Sequence, residues 1–309
     1  MNIKNNALPH GFNPTEIIFA CTTLCNLRCA HCFVERIPER LNTDDAKKLI
    51  LSCKKNPESK IEKIGFSGGE PFLAADFLGE VSSFARKNDF MFDQIMTNGV
   101  WWKTEDELIQ TLQRIQDCGY DGKIGISYDN FHGQNYEKIR TFCNAVNKIF
   151  GEESINIQAV ADPFLDDEKT EKLERELNAL SEDFSADIFI LPQTFEGNDE
   201  RGWKSKKWFK EDFCAGPGNI LFVHPSGNIA PCCGFANENS ALFIGKITDS
   251  FEQIMQNAAQ NKMIKLCFET GLSRRAKEIE KSGKKMPGTG RTDDICTFCD
   301  FLAGVAGGV

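Results

Sequence analysis

The chain has 309 residues, 41% of them hydrophobic and 25 of them phenylalanine, enough for one large domain with a sizeable core and a small second one. A net charge of −9 argues against a nucleic-acid partner. No apolar run approaches the roughly 20 residues of a membrane helix and no secretory signal opens the chain, so a cytoplasmic protein without membrane contact is expected.

Residues 1–16 form a polar extension with Pro9 and Pro14. From 17 to about 191, apolar strands alternate with amphipathic helices. Strands are predicted at Glu16–Cys21, Ile61–Phe66, Phe92–Thr97, Lys123–Ser127, Ser154–Ala161 and Ala186–Leu191. Helices are predicted near 43–56, 76–88, 104–118, 135–149 and 167–183, with Thr43 as the cap of the first and Thr104/Glu107 as a capping box. Such alternation argues for an α/β fold with a parallel sheet and right-handed crossovers, and leaves open whether the sheet is flat or curls into a partial barrel. The alternation gives a domain over 17–205 and a second over 206–309.

Thirteen cysteines in a chain without an export signal point to metal or catalytic use, since disulfides are not expected in the cytosol. Cys25, Cys29 and Cys32 lie on one predicted loop, with Phe33 directly after them. Three such thiolates can hold three irons of a [4Fe–4S] cube and leave the fourth iron open; zinc is the competing ligand, although it usually takes paired cysteines from two knuckles. His31 lies between Cys29 and Cys32, with its side chain expected to point away from them. After the second strand come Gly68, Gly69, Glu70 and Pro71. The glycines permit close main-chain approach to a ligand, and Glu70 brings a carboxylate suited to an ammonium.

The triplet, with Asn26 and Leu27 inside it, followed by Gly68-Gly69-Glu70-Pro71, resembles the signature of the radical S-adenosylmethionine (SAM) enzymes. The resemblance implies a (β/α)6 partial barrel with its chemistry at the carboxyl ends of the strands, where every motif residue falls. It also implies that SAM chelates the open iron and that the loop Gly68–Pro71 receives its amino group. Asn98 matches the strand-three turn, Ser127 and Asp129 the strand-four residues that meet the ribose and carboxylate of SAM, and Val160 a position against adenine. His132 is read as a satisfied loop histidine, with a substrate-side acid or base as the alternative.

Beyond residue 213 the alternation stops. Cys214, a predicted hairpin over Ile220–His224 and Ile229 with a Pro225-Ser226-Gly227 turn, and the pair Cys232-Cys233 precede a distant pair, Cys296 and Cys299. Four of these thiols can close around one centre, zinc or a second [4Fe–4S] cluster by ligand count. Cys53, Cys118, Cys143 and Cys267 stand alone in helix-like stretches and read as small buried hydrophobes. The spacing from Cys214 through Gly227 to Cys232 resembles the auxiliary-cluster domain called twitch, or SPASM-like, and assigns Cys214, Cys232, Cys296 and Cys299 to the cluster. Adjacent side chains on a strand face opposite ways, so Cys233 faces away from it, toward the barrel mouth if Cys232 faces the cluster.

The whole pattern is similar to the radical SAM peptide epimerases, which implies a ribosomally made precursor peptide as substrate and Cys233 as the thiol that returns a hydrogen atom. Peptide thioether or carbon–carbon crosslinking is the alternative, then small-molecule dehydrogenation, and outside catalysis a redox-sensing module. Only 24 residues precede Cys25, so no amino-terminal recognition domain is expected. Segment 262–291 carries nine Lys/Arg against three Asp/Glu. It reads as a solvated helix face, or as a dock for an acidic peptide or for a flavodoxin or ferredoxin-type electron donor. Pro287-Gly288-Thr289-Gly290 reads as a hinge or loop, and the glycine-rich tail 304–309 as frayed.

Overall fold

The computed structural model describes residues 11–34, 37–214 and 218–305. The described residues divide into two compact units, one within 16–193 with 223–228, the other within 11–15, 194–222 and 229–305.

The first unit alternates β1 (Glu16–Ala20), α1 (Thr43–Lys55), β2 (Lys63–Ser67), α2 (Ala75–Lys87), β3 (Met91–Thr97), α3 (Glu105–Asp117), β4 (Lys123–Ser127), α4 (Tyr136–Phe150), β5 (Ile155–Val160), α5 (Asp167–Phe184) and β6 (Asp187–Leu191). All five neighbouring strand pairs are parallel and follow chain order, so each helix is a crossover between adjacent strands. β6 ends the series. Ile17, Phe19, Ile64, Phe66, Ile95, Ile124, Ile126, Ile155 and Ile157 are essentially shielded from solvent. Runs of β-branched residues buried on both faces are what a helix-covered parallel sheet demands. β6 departs from this: Phe189, Ile190 and Leu191 are exposed.

The helix starts follow local chemistry. Thr104 accepts the amide of Glu107 at 3.2 Å, while the Glu107 carboxylate accepts that of Lys103 at 2.8 Å. At α1 the cap is Asn42, whose side chain accepts from Asp45 N at 3.0 Å. The predicted cap, Thr43, is instead the first helical residue, because Asn42 already satisfies the orphan amide.

The second unit contains, apart from the end residues Val223 and Asn228, β7 (Gly218–Val223) and β8 (Asn228–Cys232), and with them β9 (Gly245–Lys246), α6 (Phe251–Gln260), a single turn α7 (Lys262–Lys265), a π-helical turn at Leu266–Thr270, α8 (Leu272–Lys281) and α9 (Ile295–Val305). β7 and β8 are adjacent and joined by a tight turn, as the hairpin signal required. The core gathers around the fully buried Trp203, whose ring lies 5.1 Å from that of Phe301 and 6.4 Å from that of Phe298.

Trp203 also explains why the division falls at Gln193/Thr194 rather than at 205. Residues 194–203 are held to α9 by Phe195 O accepting from Thr297 Oγ1 at 3.0 Å and by Gly197 N donating to the Asp300 carboxylate at 2.8 Å. Residues 11–13 join the same unit, through Gly11 N to Phe268 O (3.1 Å) and Asn13 N to the Asn219 side chain (2.6 Å). The segment expected as a hinge is a pinned loop, since Thr289 gives both its amide and its hydroxyl to Trp203 O. Residues 1–10 of the polar extension and 306–309 of the tail lie outside the described residues. Among the described residues no helix is long and apolar enough to cross a membrane.

Candidate active site

The loop after β1 is braced on both sides. Thr22 and Thr23 hydroxyls donate to Glu39 O (2.7 Å) and Ile37 O (2.6 Å), folding the returning chain back against the strand end. From the other side come Gly68 and Gly69. Gly69 N donates to Thr22 O at 2.6 Å and Glu70 N to Leu24 O at 2.8 Å. Gly68 has φ +132°, and a Cβ there would meet Thr22 O at 2.6 Å; a Cβ on Gly69 would collide with Leu24 O. These glycines let the β2 loop lie against the cysteine loop, a use of close approach beyond the expected ligand contact.

Glu70 is held by the protein's own donors. It is fully buried, and its carboxylate accepts from Phe72 N (3.1 Å), Thr97 Oγ1 (2.8 Å) and Asn98 N (2.9 Å). Burial pushes its pKa up to about 7, against the pull of those three donors. The group thus ties the β2 loop to the β3 turn. Pro71, also buried, opens the short 3-10 turn Pro71–Ala74.

Asn98 is the hub of the β3 turn. Its Nδ2 lies 3.7 Å from Cys25 Sγ and 2.9 Å from Asn26 Oδ1, and its Oδ1 accepts from Val100 N at 2.9 Å. Cys25 Sγ also accepts from Leu27 N at 3.4 Å. Gln134 donates from one amide to Asn98 O (2.8 Å) and Ser127 O (2.6 Å), joining the ends of β3 and β4. Cys25 and Cys29 are half-buried, and Cys32 and Phe33 are exposed. Three thiols on one loop, one of them receiving N–H donors at its sulfur, are a donor set suited to an iron–sulfur cluster with an open iron.

Asp129 is buried at the end of β4. Its Oδ1 meets His132 Nδ1 at 2.7 Å and its Oδ2 accepts from Val160 N at 2.9 Å. Burial works to raise this carboxyl, but the His132 ring and the Val160 amide hold it below the ordinary carboxylate range. For His132, burial lowers the pKa and the hydrogen bonds to Asp129 and Cys29 outweigh it, giving about 9. The His31 ring lies 4.9 Å from the His132 ring and 4.7 Å from that of Phe131. His31, Asp129 and His132 therefore converge beside the cysteine loop, a grouping concealed by the 98-residue separation of His31 and Asp129 in the sequence. Gln134 was missed as well, and Asn26, noted within the triplet, has the Asn98 amide as its partner.

In the second unit one pocket is lined by Cys214, Cys232, Cys267, Cys296 and Cys299, with Pro231, Ala236, Leu242 and Phe268 among its apolar walls. The last pair is not a knuckle but the first turn of α9. Asp294 Oδ1 accepts from Cys296 N (2.7 Å) and Thr297 N (3.2 Å), and a spacing of three puts both thiols on one helix face. Burial raises the Cys214 thiol, as it does that of Cys296, each with neighbouring cysteines adding to the shift. Thiols so crowded and desolvated are the chemistry of a metal-thiolate centre. Cys232 is buried while Cys233 is exposed. Cys267 is no isolated hydrophobe, since its sulfur lies 3.7 Å from that of Cys299.

Comparison with known proteins agrees with both clusters. A family model for the Radical SAM superfamily matches residues 20–121, and one for SPASM, an iron-sulfur cluster-binding domain, matches residues 214–285. The chain thus carries a radical SAM domain followed by a SPASM-type domain. Its cofactors are accordingly SAM and a [4Fe–4S] cluster, with auxiliary iron–sulfur in the C-terminal domain.

Among relatives, the S-adenosylmethionine-dependent nucleotide dehydratase RSAD2 of Siniperca chuatsi is 29% identical over 56% of this chain and 50% of its own. The chain spans about half the length of that dehydratase. The antilisterial bacteriocin subtilosin biosynthesis protein AlbA of Bacillus subtilis (strain 168) is 23% identical over 81% of this chain and 61% of its own. YydG of the same strain, named for peptide biosynthesis, is 23% identical over 80% of this chain and 78% of its own.

Proposed function

We propose that this chain modifies a ribosomally made peptide, inverting an L residue to its D form by removal and return of a Cα hydrogen. The relatives that extend over about four fifths of the chain are named for bacteriocin and peptide biosynthesis, which supports a peptide as substrate. The observation that carries the epimerase reading is the split in the Cys232–Cys233 pair. One thiol is buried against the other C-terminal cysteines and its neighbour is exposed to meet a substrate.

In this reading Cys25, Cys29 and Cys32 hold three irons of the catalytic cluster, and Cys214, Cys232, Cys296 and Cys299 hold the auxiliary one. Phe33, Gly68, Gly69, Glu70, Pro71, Asn98, Ser127, Asp129 and Val160 shape the SAM pocket. When bound and reduced, the cofactor pair supplies a 5′-deoxyadenosyl radical able to take a Cα hydrogen.

The protein's own part follows from its side chains. The Asn98 amide steadies the Cys25 sulfur, and Glu70 holds the β2 loop against that turn. Asp129, fixed by His132 and Val160, presents a rigid strand end. Cys233 then gives up its hydrogen: the S–H bond breaks homolytically and a new C–H bond forms on the opposite face. The resulting sulfur radical returns to thiol by taking one electron from a flavodoxin or ferredoxin-type donor and one proton from water.

The test is reaction of the reconstituted enzyme with synthetic precursor peptides in D2O, followed by mass and chiral analysis. One deuterium gained at a residue turned to its D form is the expected result. Loss of two hydrogens identifies crosslinking instead. Cys233→Ala should still form 5′-deoxyadenosine but fail to invert; normal inversion by this variant removes Cys233 from the role.

A further inference from the structure

Cys267 belongs to none of the cysteine motifs, yet it touches two of the thiol positions that do. It sits on the π-helical turn Leu266–Thr270, 3% exposed. Its sulfur lies 3.7 Å from Cys299 Sγ, and its main-chain oxygen accepts from Cys214 N at 3.0 Å. It lines the same pocket as Cys214, Cys232, Cys296 and Cys299. A π turn widens the helical ladder by one residue and is frequent at functional sites. Here the widened turn brings a thiol against α9 and a carbonyl against the residue that opens the domain's cysteine set.

Five thiols around one pocket are one more than a [4Fe–4S] cluster takes from protein. The irons of a cubane direct their outer ligands away from one another, so two sulfurs in mutual contact cannot both be terminal ligands on separate irons. Two thiolates on a single tetrahedral zinc, each about 2.3 Å from the metal, would by contrast lie about 3.8 Å apart. With iron–sulfur as the occupant, the role left for a thiol in contact with a ligand sulfur is that of hydrogen-bond donor.

We infer that Cys267 is a positioning residue of the auxiliary iron–sulfur centre, donating an S–H···S hydrogen bond to Cys299 and so raising the centre's reduction potential. The inference rests on the reading of Cys214, Cys232, Cys296 and Cys299 as its ligands. A donor at a ligand sulfur stabilises the more negative, reduced state of the cluster, and loss of the donor favours the oxidised state. Through its carbonyl the same residue also fixes the backbone of Cys214, so one turn sets the position of two ligands.

The whole enzyme, reconstituted anaerobically with iron and sulfide, decides the matter. Cys267→Val keeps an apolar side chain of similar size without a donor, Cys267→Ser keeps a donor, and Cys299→Ala removes the ligand. The readouts are iron and zinc content and a redox titration of the second cluster followed by electron paramagnetic resonance.

Cys267→Val should retain about eight irons per chain, two full clusters, with the second potential moved to more negative values. Cys267→Ser should lie between it and the parent, and Cys299→Ala should lose about half of the iron. An unchanged potential in Cys267→Val overturns the inference. So does loss of the second cluster from Cys267→Val with retention in Cys299→Ala, which would make Cys267 the ligand. Zinc in the parent enzyme's C-terminal site also overturns it. A parent enzyme with only one cluster fails the ligand assignment itself, a result distinct from all of these.

Discussion

The Asn98 side chain points its amide at the Cys25 sulfur from 3.7 Å while holding Asn26 at 2.9 Å, so the β3 turn reaches into the cysteine loop across 73 residues of chain. Removing that donor should loosen the first cluster without dissolving the fold. Asn98→Ala should lower anaerobic iron retention at the N-terminal site and cut 5′-deoxyadenosine formation by about 10–100-fold, the usual loss for a partner of a metal ligand. Iron assay and product chromatography would check this, and unchanged values for both would remove Asn98 from the ligand environment.

Glu70 makes a contrasting case, because its three donors are themselves buried. Glu70→Ala leaves the amides of Phe72 and Asn98 and the Thr97 hydroxyl without their acceptor. A loss of about 1–3 kcal/mol is expected for each donor left unpaired. Glu70→Gln keeps most of the volume and part of the acceptor capacity, and should cost less. Urea denaturation of the two variants gives the order; equal stability of Ala and parent would contradict this reading.

Gly69→Ala tests the contact between the β2 and cysteine loops. The added carbon collides with Leu24 O, a backbone atom that cannot rotate away. The cysteine loop must shift, and about four of eight irons should be lost, those of the N-terminal cluster. The C-terminal cluster's spectrum should persist. Full iron content in this variant would show that the loops can separate without consequence.

Glu16 offers a pH prediction remote from either cluster. At the start of β1 its Oε1 is buried with no hydrogen-bond partner among the described residues. Burial, with Asp93 adding to it, raises its pKa to about 7 from the ordinary 4.5. Below pH 4.5 the carboxyl is neutral in folded and unfolded chains alike and has no effect. As pH rises through 7 the folded state must accept an unwelcome charge, and stability is lost. Glu16→Gln should therefore match the parent near pH 4 and exceed it by on the order of 1–3 kcal/mol at pH 8. Thermal melts across that range would reveal an absent pH-dependent gap.

The elements of the first unit were legible because their signals are local. Apolar runs at Ile64–Phe66 and Ile124–Ile126 carry strand character wherever they lie, and the Thr104/Glu107 box marks a helix start within four residues. The cysteine triplet and the Gly68–Pro71 loop were visible for the same reason. Harder to see were the three donors that Glu70 accepts from, since nothing in the sequence shows that Phe72, Thr97 and Asn98 converge on it. The Asn42 cap escaped notice because neighbouring Thr43 is an equally acceptable cap by residue type.

Composition and spacing alone determined that this is an α/β chain with two cysteine centres, because strand and helix periodicity and ligand spacing are properties of short segments. Only the tertiary structure decided which side chains stand beside those centres. Cys267 meets Cys299 across 32 residues, and Asp129 meets Val160 across 31. Pairings of that range depend on how helices cross over and how a π turn is wound, and a buried donor finds its acceptor only after the backbone has been brought together by packing.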